Sequence, residues 1–192
     1  MAKPPGAPWY GFVRIAKPLD DPSFCDQLAA AGCIMLKIGL ESGDQQVLDG
    51  MAKGISLETA AQVLTHLHAA GISTYIYLLF GTPGEDEAAA HRTMEFVIRH
   101  RESVDFLNLA IFNLPLGSDE ADGMPLMDFY HGDLALYRNF EHPRGWHRSA
   151  VRKFLEKKFK KHPAIQPIIR CDPPVFTSNH AAFFSLKLHA KL

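Results

Sequence analysis

Two stretches of the chain share one pattern, and this repeat constrains the fold more than any other feature of the sequence. Residues 29–40 (AAAGCIMLKIGL) and residues 69–80 (AAGISTYIYLLF) each predict the end of a helix, a glycine and an apolar strand. A glycine just past a helix, here Gly32 or Gly71, supplies the left-handed cap, and a nearly continuous apolar strand indicates burial on both faces. The repeat therefore predicts a βα unit that is used twice.

The flanking segments extend this repeat into an alternating fold. WYGFVRI (residues 9–15) predicts a first strand, and FLNLAIFNLP (residues 106–115) predicts a fourth. Helices are predicted at about residues 22–31, 57–70 and 86–101. The order βαβαβαβ calls for a parallel sheet covered by helices. The predicted fold class is α/β, a partial TIM-like (β/α) barrel with four recognisable parallel strands and a helical C-terminal extension.

The rest of the chain shows less pattern. Residues 117–133 are rich in Gly, Pro and Asp and predict a loop, whereas residues 134–140 and about 146–161 predict helices. We expect a partial barrel over residues 1–118, and a loop and helical extension over residues 119–192 that packs on the barrel.

Composition limits the class of protein. With 47% hydrophobic residues, a chain of 192 residues can bury a real core. No apolar run is long enough to cross a bilayer and no secretory signal is evident, so we expect a cytoplasmic protein without a membrane partner. The three cysteines, Cys25, Cys33 and Cys171, include no CxxC pair, and the histidines lack metal-site spacing. We expect reduced thiols and no metal site.

Polar residues and glycines follow the predicted strands. Glu41 follows the second strand, Arg14 lies near the end of the first, and Gly81 begins the turn after the third. The carboxyl ends of parallel strands meet at one rim, where ligands bind. A carboxylate there is costly unless it caps, pairs with or binds something. Two interpretations stay open, a ligand site at this rim or helix caps formed by Glu41 and Asp44.

Three blocks of sequence resemble a known family. W..F.R, AAGC....IGLESGDQQVLDGMAKG and AAGI.....LLFGTPGE occur in this order within residues 9–116. They resemble the later part of the catalytic barrel of the radical S-adenosylmethionine (radical SAM) superfamily, in particular the cobalamin-associated Fe-S oxidoreductase branch. The resemblance implies S-adenosylmethionine (SAM) and a 4Fe-4S cluster as cofactors of the intact family enzyme, with cobalamin as a further one.

The resemblance also implies roles for five residues. Glu41 and Ser42 would contact the ribose or amino-acid part of SAM, and Leu79 with Gly81 would pack beside its adenine. Arg14 would pair with its carboxylate. No catalytic residue and no metal ligand is assigned.

Two departures from the family pattern matter. The family's adenine strand usually has the pattern G-x-I-x-G-x-x-E, whereas Glu85 follows Gly81 one position late. The CxxxCxxC motif is absent, and Cys33 opens an apolar strand. In the family three thiolates hold the cluster that passes an electron to SAM. We therefore expect the C-terminal portion of a radical SAM Fe-S oxidoreductase domain, shaping the SAM and substrate side of the barrel and inactive alone, with no cofactor of its own.

A second function stays open beside this one. Residues 144–161 carry eight arginines and lysines but one glutamate, Glu156. A solvated helix face explains this segment, and so does a site for an anionic partner such as RNA. The alternative is a non-catalytic binding or interaction module derived from a radical SAM barrel.

The expected partners follow from the strands that the family has and this chain lacks. The first strand would have an unpaired edge, and the inner face of the sheet, for which we predict Leu36, Ile38, Tyr77 and Ile111, would lose part of its cover. We expect an N-terminal barrel segment, self-association, or residues 165–188 over the gap. The small-molecule substrate stays unidentified.

Overall fold

A four-stranded parallel sheet dominates the computed structural model, which describes residues 6–118, 124–127, 136–171 and 181–182. Its strands are β1 (Trp9–Val13), β2 (Cys33–Glu41), β3 (Ser73–Phe80) and β4 (Phe106–Ile111). The strands are neighbours in sequence order and each pair is parallel. The predicted α/β class with four parallel strands is confirmed.

Capped helices connect these strands. They are α1 (Pro22–Ala30), α2 (Gln45–Gly50), α3 (Leu57–Ala69) and α4 (Glu87–Arg99). In each, the side chain just before the helix accepts a hydrogen bond from a backbone N–H of the first turn; these residues are Asp21, Asp44, Ser56 and Asp86. Such caps satisfy N–H groups that a helix leaves without partners, which is why the helices begin there.

One face of the sheet is buried against the helices. Alternate residues of β2 and β3 join residues of α3 and α4 in the main core. Leu36, Ile38 and Ile111 belong to this core, so the prediction that they line the inner face is wrong. Of the four residues that we predicted there, Tyr77 packs on the inner face. Strands that are apolar on both faces show no alternation, so the sequence does not reveal which residues face the helices.

The inner face is covered near the beginnings of its strands. Ala181 and Ala182 pack there in a second cluster, whose strand residues include Met35, Tyr75 and Phe106. Two residues of the expected covering segment 165–188 thus lie on this face, while residues 172–180 and 183–188 are outside the described residues. On the edge strand, Phe12 is 68% exposed. Self-association stays a prediction.

A small antiparallel sheet follows β4. It consists of β5 (Leu114–Pro115), β6 (Leu126–Met127) and β7 (Tyr137–Phe140), in the order β5-β7-β6. The predicted helix over residues 134–140 is wrong, because residues 137–140 form a strand. Tyr137 pairs with Pro115 and Phe140 with Leu126, and these distant partners are invisible to a local pattern.

The helical prediction over residues 146–161 is confirmed. Helix α5 (Arg148–Phe154) continues into a π-helical turn (Leu155–Phe159), and α6 (Gln166–Arg170) follows. The rings of Phe154 and Phe159 pack on Phe80 at the end of β3. The division into domains at residue 118 stays a prediction. Among the described residues, no helix has the length and apolar character that a transmembrane span requires.

Candidate functional site

Glu41 ends β2 in an unusual backbone conformation. The register between β2 and β3 shifts between Gly39 and Glu41, so the strand ends in a bulge. Glu41 has φ 69°, in the left-handed region that few residues other than glycine adopt. A Cβ atom on Gly39 would lie 2.8 Å from Glu41 Oε1. The bulge thus folds the carboxylate back over Gly39, on the face of β2 that points away from the helices.

A lysine holds this carboxylate. Lys53 Nζ lies 3.0 Å from Glu41 Oε1, and the two side chains are 30% and 19% exposed. Arg14 donates through Nη2 to the backbone oxygen of Lys53 at 3.2 Å, so it fixes the loop that carries the lysine. The cap of α2 is Asp44, which accepts from Val47 N–H at 2.9 Å. The helix-cap interpretation therefore applies to Asp44.

Ser42 lies inside the protein, under α4. Its hydroxyl is 3.1 Å from Thr93 Oγ1 and accepts from Asp44 N–H at 3.1 Å. Gly43 N–H donates to the same Thr93 oxygen at 2.9 Å, and a Cβ atom on Gly43 would lie 2.7 Å from Phe96 Cβ. The Ser-Gly-Asp sequence is thus explained by close packing of the turn on α4. A contact between Ser42 and SAM stays a prediction.

The two predicted residues of β3 lie at the end of the sheet. Leu79 is half-buried and stands beside Ala110 of β4, on the same face as Tyr77. Gly81 has φ 78°, and its N–H donates to Glu85 Oε2. The structure thus places Glu41 and Leu79 near the carboxyl ends of neighbouring strands, both partly exposed among the described residues, with Gly81 just beyond.

Glu85 is the centre of a buried polar cluster that sequence reasoning missed. Its side chain is 0% exposed, and Oε2 also accepts from Trp146 Nε1 at 2.9 Å. Oε1 has no hydrogen-bond partner among the described residues. Burial raises the pKa of Glu85 to about 7, against the lowering effect of the Gly81 and Trp146 bonds. The shifted spacing of Glu85 from Gly81 was the available signal, but Trp146 is 61 residues away.

His142 attaches the β7–α5 loop to the end of β3. Its Nε2 lies 2.9 Å from the backbone oxygen of Thr82, and its Nδ1 accepts from the N–H groups of Arg144 and Trp146 at 3.2 Å. Because Nδ1 is an acceptor, Nε2 carries the proton and the ring is neutral. Burial lowers the pKa of His142, which favours this neutral form.

A cavity of about 470 Å³ opens beside this cluster. It lies between the ends of β3 and β4, strand β7 and the beginning of α5, and its lining includes Gly81, Trp146 and three arginines. Ligand pockets of several hundred Å³ are typical of small-molecule sites.

The cysteines do not fit the ligands of a 4Fe-4S cluster. Burial raises the pKa of Cys33 to about 11 and also raises the pKa of Cys25, whereas thiolates are the forms that bind iron. Both thiols lie in the main core, and Cys171 is exposed. The described part of the chain contains no group of three His, Cys, Asp or Glu residues that could hold a metal ion.

Glu41 and Leu79 have the chemical groups that parts of SAM would need. Glu41 offers a carboxylate oxygen to hydroxyl or ammonium donors, and Leu79 offers an apolar surface to a flat ring. Both residues keep partial exposure, and their contact with SAM stays a prediction.

Similarity to a known family covers part of the parallel sheet. Residues 12–97 match the family model of the Radical SAM superfamily. A bacteriochlorophyllide d C-12(1)-methyltransferase of Chlorobaculum tepidum is 29% identical over 84 residues, which are 43% of this chain and 18% of that protein.

Solved structures give similar coverage. Coproporphyrinogen III oxidase of Escherichia coli, described as a radical SAM enzyme, matches 54% of this chain and 23% of its own at 21% identity, with TM-score 0.48. The radical SAM methyltransferase TsrM of Kitasatospora setae, with cobalamin and a [4Fe-4S] cluster bound, matches 56% and 20% at 22% identity, also with TM-score 0.48.

The chain spans about a fifth of the length of these relatives. The family match begins in β1 and ends in α4, so it contains the bulge at Glu41 and the turn at Gly81. Residues 12–97 of this chain are therefore similar to the Radical SAM superfamily.

Proposed function

We propose that this chain supplies the ribose-facing and adenine-facing strand ends of a radical SAM catalytic domain. The observation that carries this proposal is the bulge at the end of β2, which turns the Glu41 carboxylate onto the inner face near Leu79. Left-handed backbone at a residue other than glycine costs free energy and persists where the surroundings enforce it, often at ligand sites. Glu41 accepts hydrogen bonds from SAM, and Leu79 packs against its adenine.

The neighbouring cations orient these groups. Lys53 holds one oxygen of Glu41 and leaves the other for a ligand donor. Arg14 fixes the backbone of Lys53, and its remaining N–H groups are directed to the SAM carboxylate in this proposal. In this proposal the adenine also lies beside Gly81, which takes the left-handed conformation (φ 78°) just after β3. When bound, SAM supplies the adenosyl group, while these residues bind and orient it.

Binding of S-adenosylhomocysteine tests this proposal without requiring a cluster. Isothermal titration calorimetry on the chain should give saturable binding that Glu41→Gln weakens about tenfold, as expected for one lost charge-assisted hydrogen bond. Glu58→Gln on the exposed side of α3 is the control and should bind as the wild type does. Equal affinities for the Glu41 and Glu58 variants would contradict the proposal.

The intact family enzyme takes a 4Fe-4S cluster, and we propose that a separate cluster-binding segment completes this domain. The chain alone should then bind no iron after anaerobic reconstitution and form no 5′-deoxyadenosine under strong reductant. Uptake of about four irons per chain together with 5′-deoxyadenosine would contradict this. Cobalamin is the further cofactor that we propose for the intact protein.

The non-catalytic alternative, with an anionic partner on the basic segment, has less support. Three of the cations in residues 144–161 are already paired: Arg144 with Asp86, Lys158 with Glu87, and Lys160 with Glu156. Exposed pairs of this kind reduce the charge that the segment presents. Binding of a single-stranded RNA without binding of S-adenosylhomocysteine would favour the alternative.

A further inference from the structure

Positively charged side chains line the cavity beside the end of β4. Arg138 on β7 and Arg148 and Arg152 on α5 line it, and no aspartate or glutamate is among its described lining residues. None of the three arginines has an acidic partner in the part of the chain that the structure describes. This arrangement differs from the basic residues outside the cavity, several of which are paired.

The geometry of Arg148 is fixed by the end of β4. Its Nη1 donates to the backbone oxygen of Phe112 at 3.2 Å and to Asn113 Oδ1 at 2.5 Å. These bonds use one nitrogen and leave the other N–H groups of the guanidinium for a ligand. A guanidinium held in this way loses less side-chain entropy when it binds an anion.

Arg152 lies one helical turn after Arg148. Residues four apart share one face of a helix, and like charges at this spacing destabilise the helix. Arg138 adds a third positive charge from the opposite wall. An anion in the cavity would remove this repulsion.

Aromatic side chains form part of the remaining walls, beside polar residues such as Asn139 and Ser149. Phe112 and Phe140 pack edge to face with their ring centroids 5.8 Å apart, and Trp146 is anchored through its Nε1 to Glu85. His142 attaches the same wall to Thr82. Glu85 lies behind Trp146 at 0% exposure, so its carboxylate is not part of the lining.

We propose that this cavity binds an organic anion, with its carboxylate or phosphate group between the three arginines and a flat apolar body against Phe112 and Trp146. The guanidinium groups of these arginines would bind the oxyanion through charge-assisted hydrogen bonds. The cavity shares Gly81 with the proposed SAM site, but the proposal rests on the three arginines and not on Glu41 or Leu79, which do not line the cavity.

Four probes separate the contributions of the anion and of the apolar body. Binding of 3-phenylpropionate, phenyl phosphate, neutral 3-phenylpropionamide and inorganic phosphate to the chain is followed by NMR chemical-shift perturbation. We expect the two aromatic anions to bind at least about tenfold more tightly than the amide, because the amide cannot accept charge-assisted hydrogen bonds. They should also bind more tightly than inorganic phosphate, which lacks the apolar body. The tighter of the two anions identifies whether carboxylate or phosphate is the preferred group.

Charge-removing variants complete the test. Arg152→Gln and Arg138→Gln should each lower the affinity for both aromatic anions about tenfold. In the wild type, the chemical-shift changes should be localised to the cavity. Arg101→Gln, an exposed arginine paired with Glu102 elsewhere, is the matched control and should leave affinity unchanged. Binding of the amide as tight as that of the acid would overturn the proposal, as would equal affinities of all three variants or the lack of saturable binding.

Discussion

Glu41 and Glu85 follow neighbouring strands of one sheet, yet the protein treats them differently. Glu41 is partly exposed and faces Lys53, a cation on a surface loop. Glu85 is fully buried, and its hydrogen-bond partners in the described part of the chain are neutral N–H donors, those of Gly81 and Trp146. The same residue type at the same end of a parallel sheet thus stays partly exposed in one case and forms an internal anchor in the other.

The difference lies in the partner that each carboxylate meets. A buried carboxylate without a cation is desolvated, and hydrogen bonds from amides and an indole do not fully replace water. For Glu85 the result is a pKa raised to about 7. Whether a strand-end glutamate is available to a ligand therefore depends on what packs over it, here Trp146.

The largest effect should come from removing the internal anchor. Glu85→Ala leaves the Gly81 N–H and the Trp146 Nε1–H buried without an acceptor, and each such loss costs about 1–3 kcal/mol. We expect the free energy of unfolding in urea to fall by about 4 kcal/mol. Glu41→Ala should lower it by at most about 1 kcal/mol, since a partly exposed ion pair contributes little. Similar losses for both variants would remove the distinction between the two glutamates.

The stability contribution of Glu85 should also depend on pH. Its folded-state pKa of about 7 exceeds the ordinary value of 4.5, so the protonated form stabilises the folded state and this stabilisation is lost as pH rises from 4.5 through about 7. We expect the wild type to lose about 2.5 kcal/mol relative to Glu85→Gln between about pH 5 and about pH 8.

The difference in the free energy of unfolding between the wild type and Glu85→Gln isolates the titration of Glu85 from that of other groups. His142, whose pKa burial lowers, changes stability in the opposite sense as pH falls, but it does so in both proteins. Urea unfolding of both proteins across this pH range measures the difference. A difference that stays constant with pH would show that Glu85 keeps its ordinary pKa.

This comparison also shows how far the sequence could lead. The alternation of capped helices and apolar strands predicts the parallel sheet and its order, because caps and glycine stops are local signals. The position of Glu41 at the rim follows from the same pattern. The burial of Glu85 does not, because Trp146 and His142 reach it from a loop about sixty residues later. Contacts across such separations leave no periodic trace.

The strand β7 illustrates the same limit. Four residues with a weak local pattern become a strand because Leu114 and Leu126 pair with them from either side. The inner and outer faces of β2 were likewise undetermined, since every residue there is apolar or small apart from Lys37 and Glu41. Tertiary packing decided both cases.

The next largest difference in stability should be between alanine substitutions at two glycines. Gly81→Ala places a side chain at φ 78°, with its Cβ atom 3.3 Å from Val151 Cγ2 in the core, and we expect a loss of about 2 kcal/mol. Gly39→Ala brings its Cβ atom 2.8 Å from Glu41 Oε1, the mobile end of a side chain. We expect a loss below about 1 kcal/mol there.

The effect of these substitutions on ligand affinity should not follow their effect on stability. The alanine at position 39 displaces the Glu41 carboxylate, so affinity for S-adenosylhomocysteine should fall about tenfold despite the small change in stability. Thermal unfolding and titration calorimetry on the same samples measure both quantities. Unchanged affinity of Gly39→Ala would show that the bulge is not part of the ligand site.

The smallest effect concerns the pair of Glu41 and Lys53. A double-mutant cycle with Glu41→Gln and Lys53→Met should give a coupling energy of about 0.5 kcal/mol, because both side chains are partly exposed and solvent screens their attraction. The coupling should shrink further in about 1 M salt, where the screening length is about 3 Å. A coupling above about 2 kcal/mol would mean that this carboxylate, like that of Glu85, is held mainly for the fold. A small coupling leaves Glu41 able to exchange its lysine for a ligand at little cost in stability, as a rim position requires.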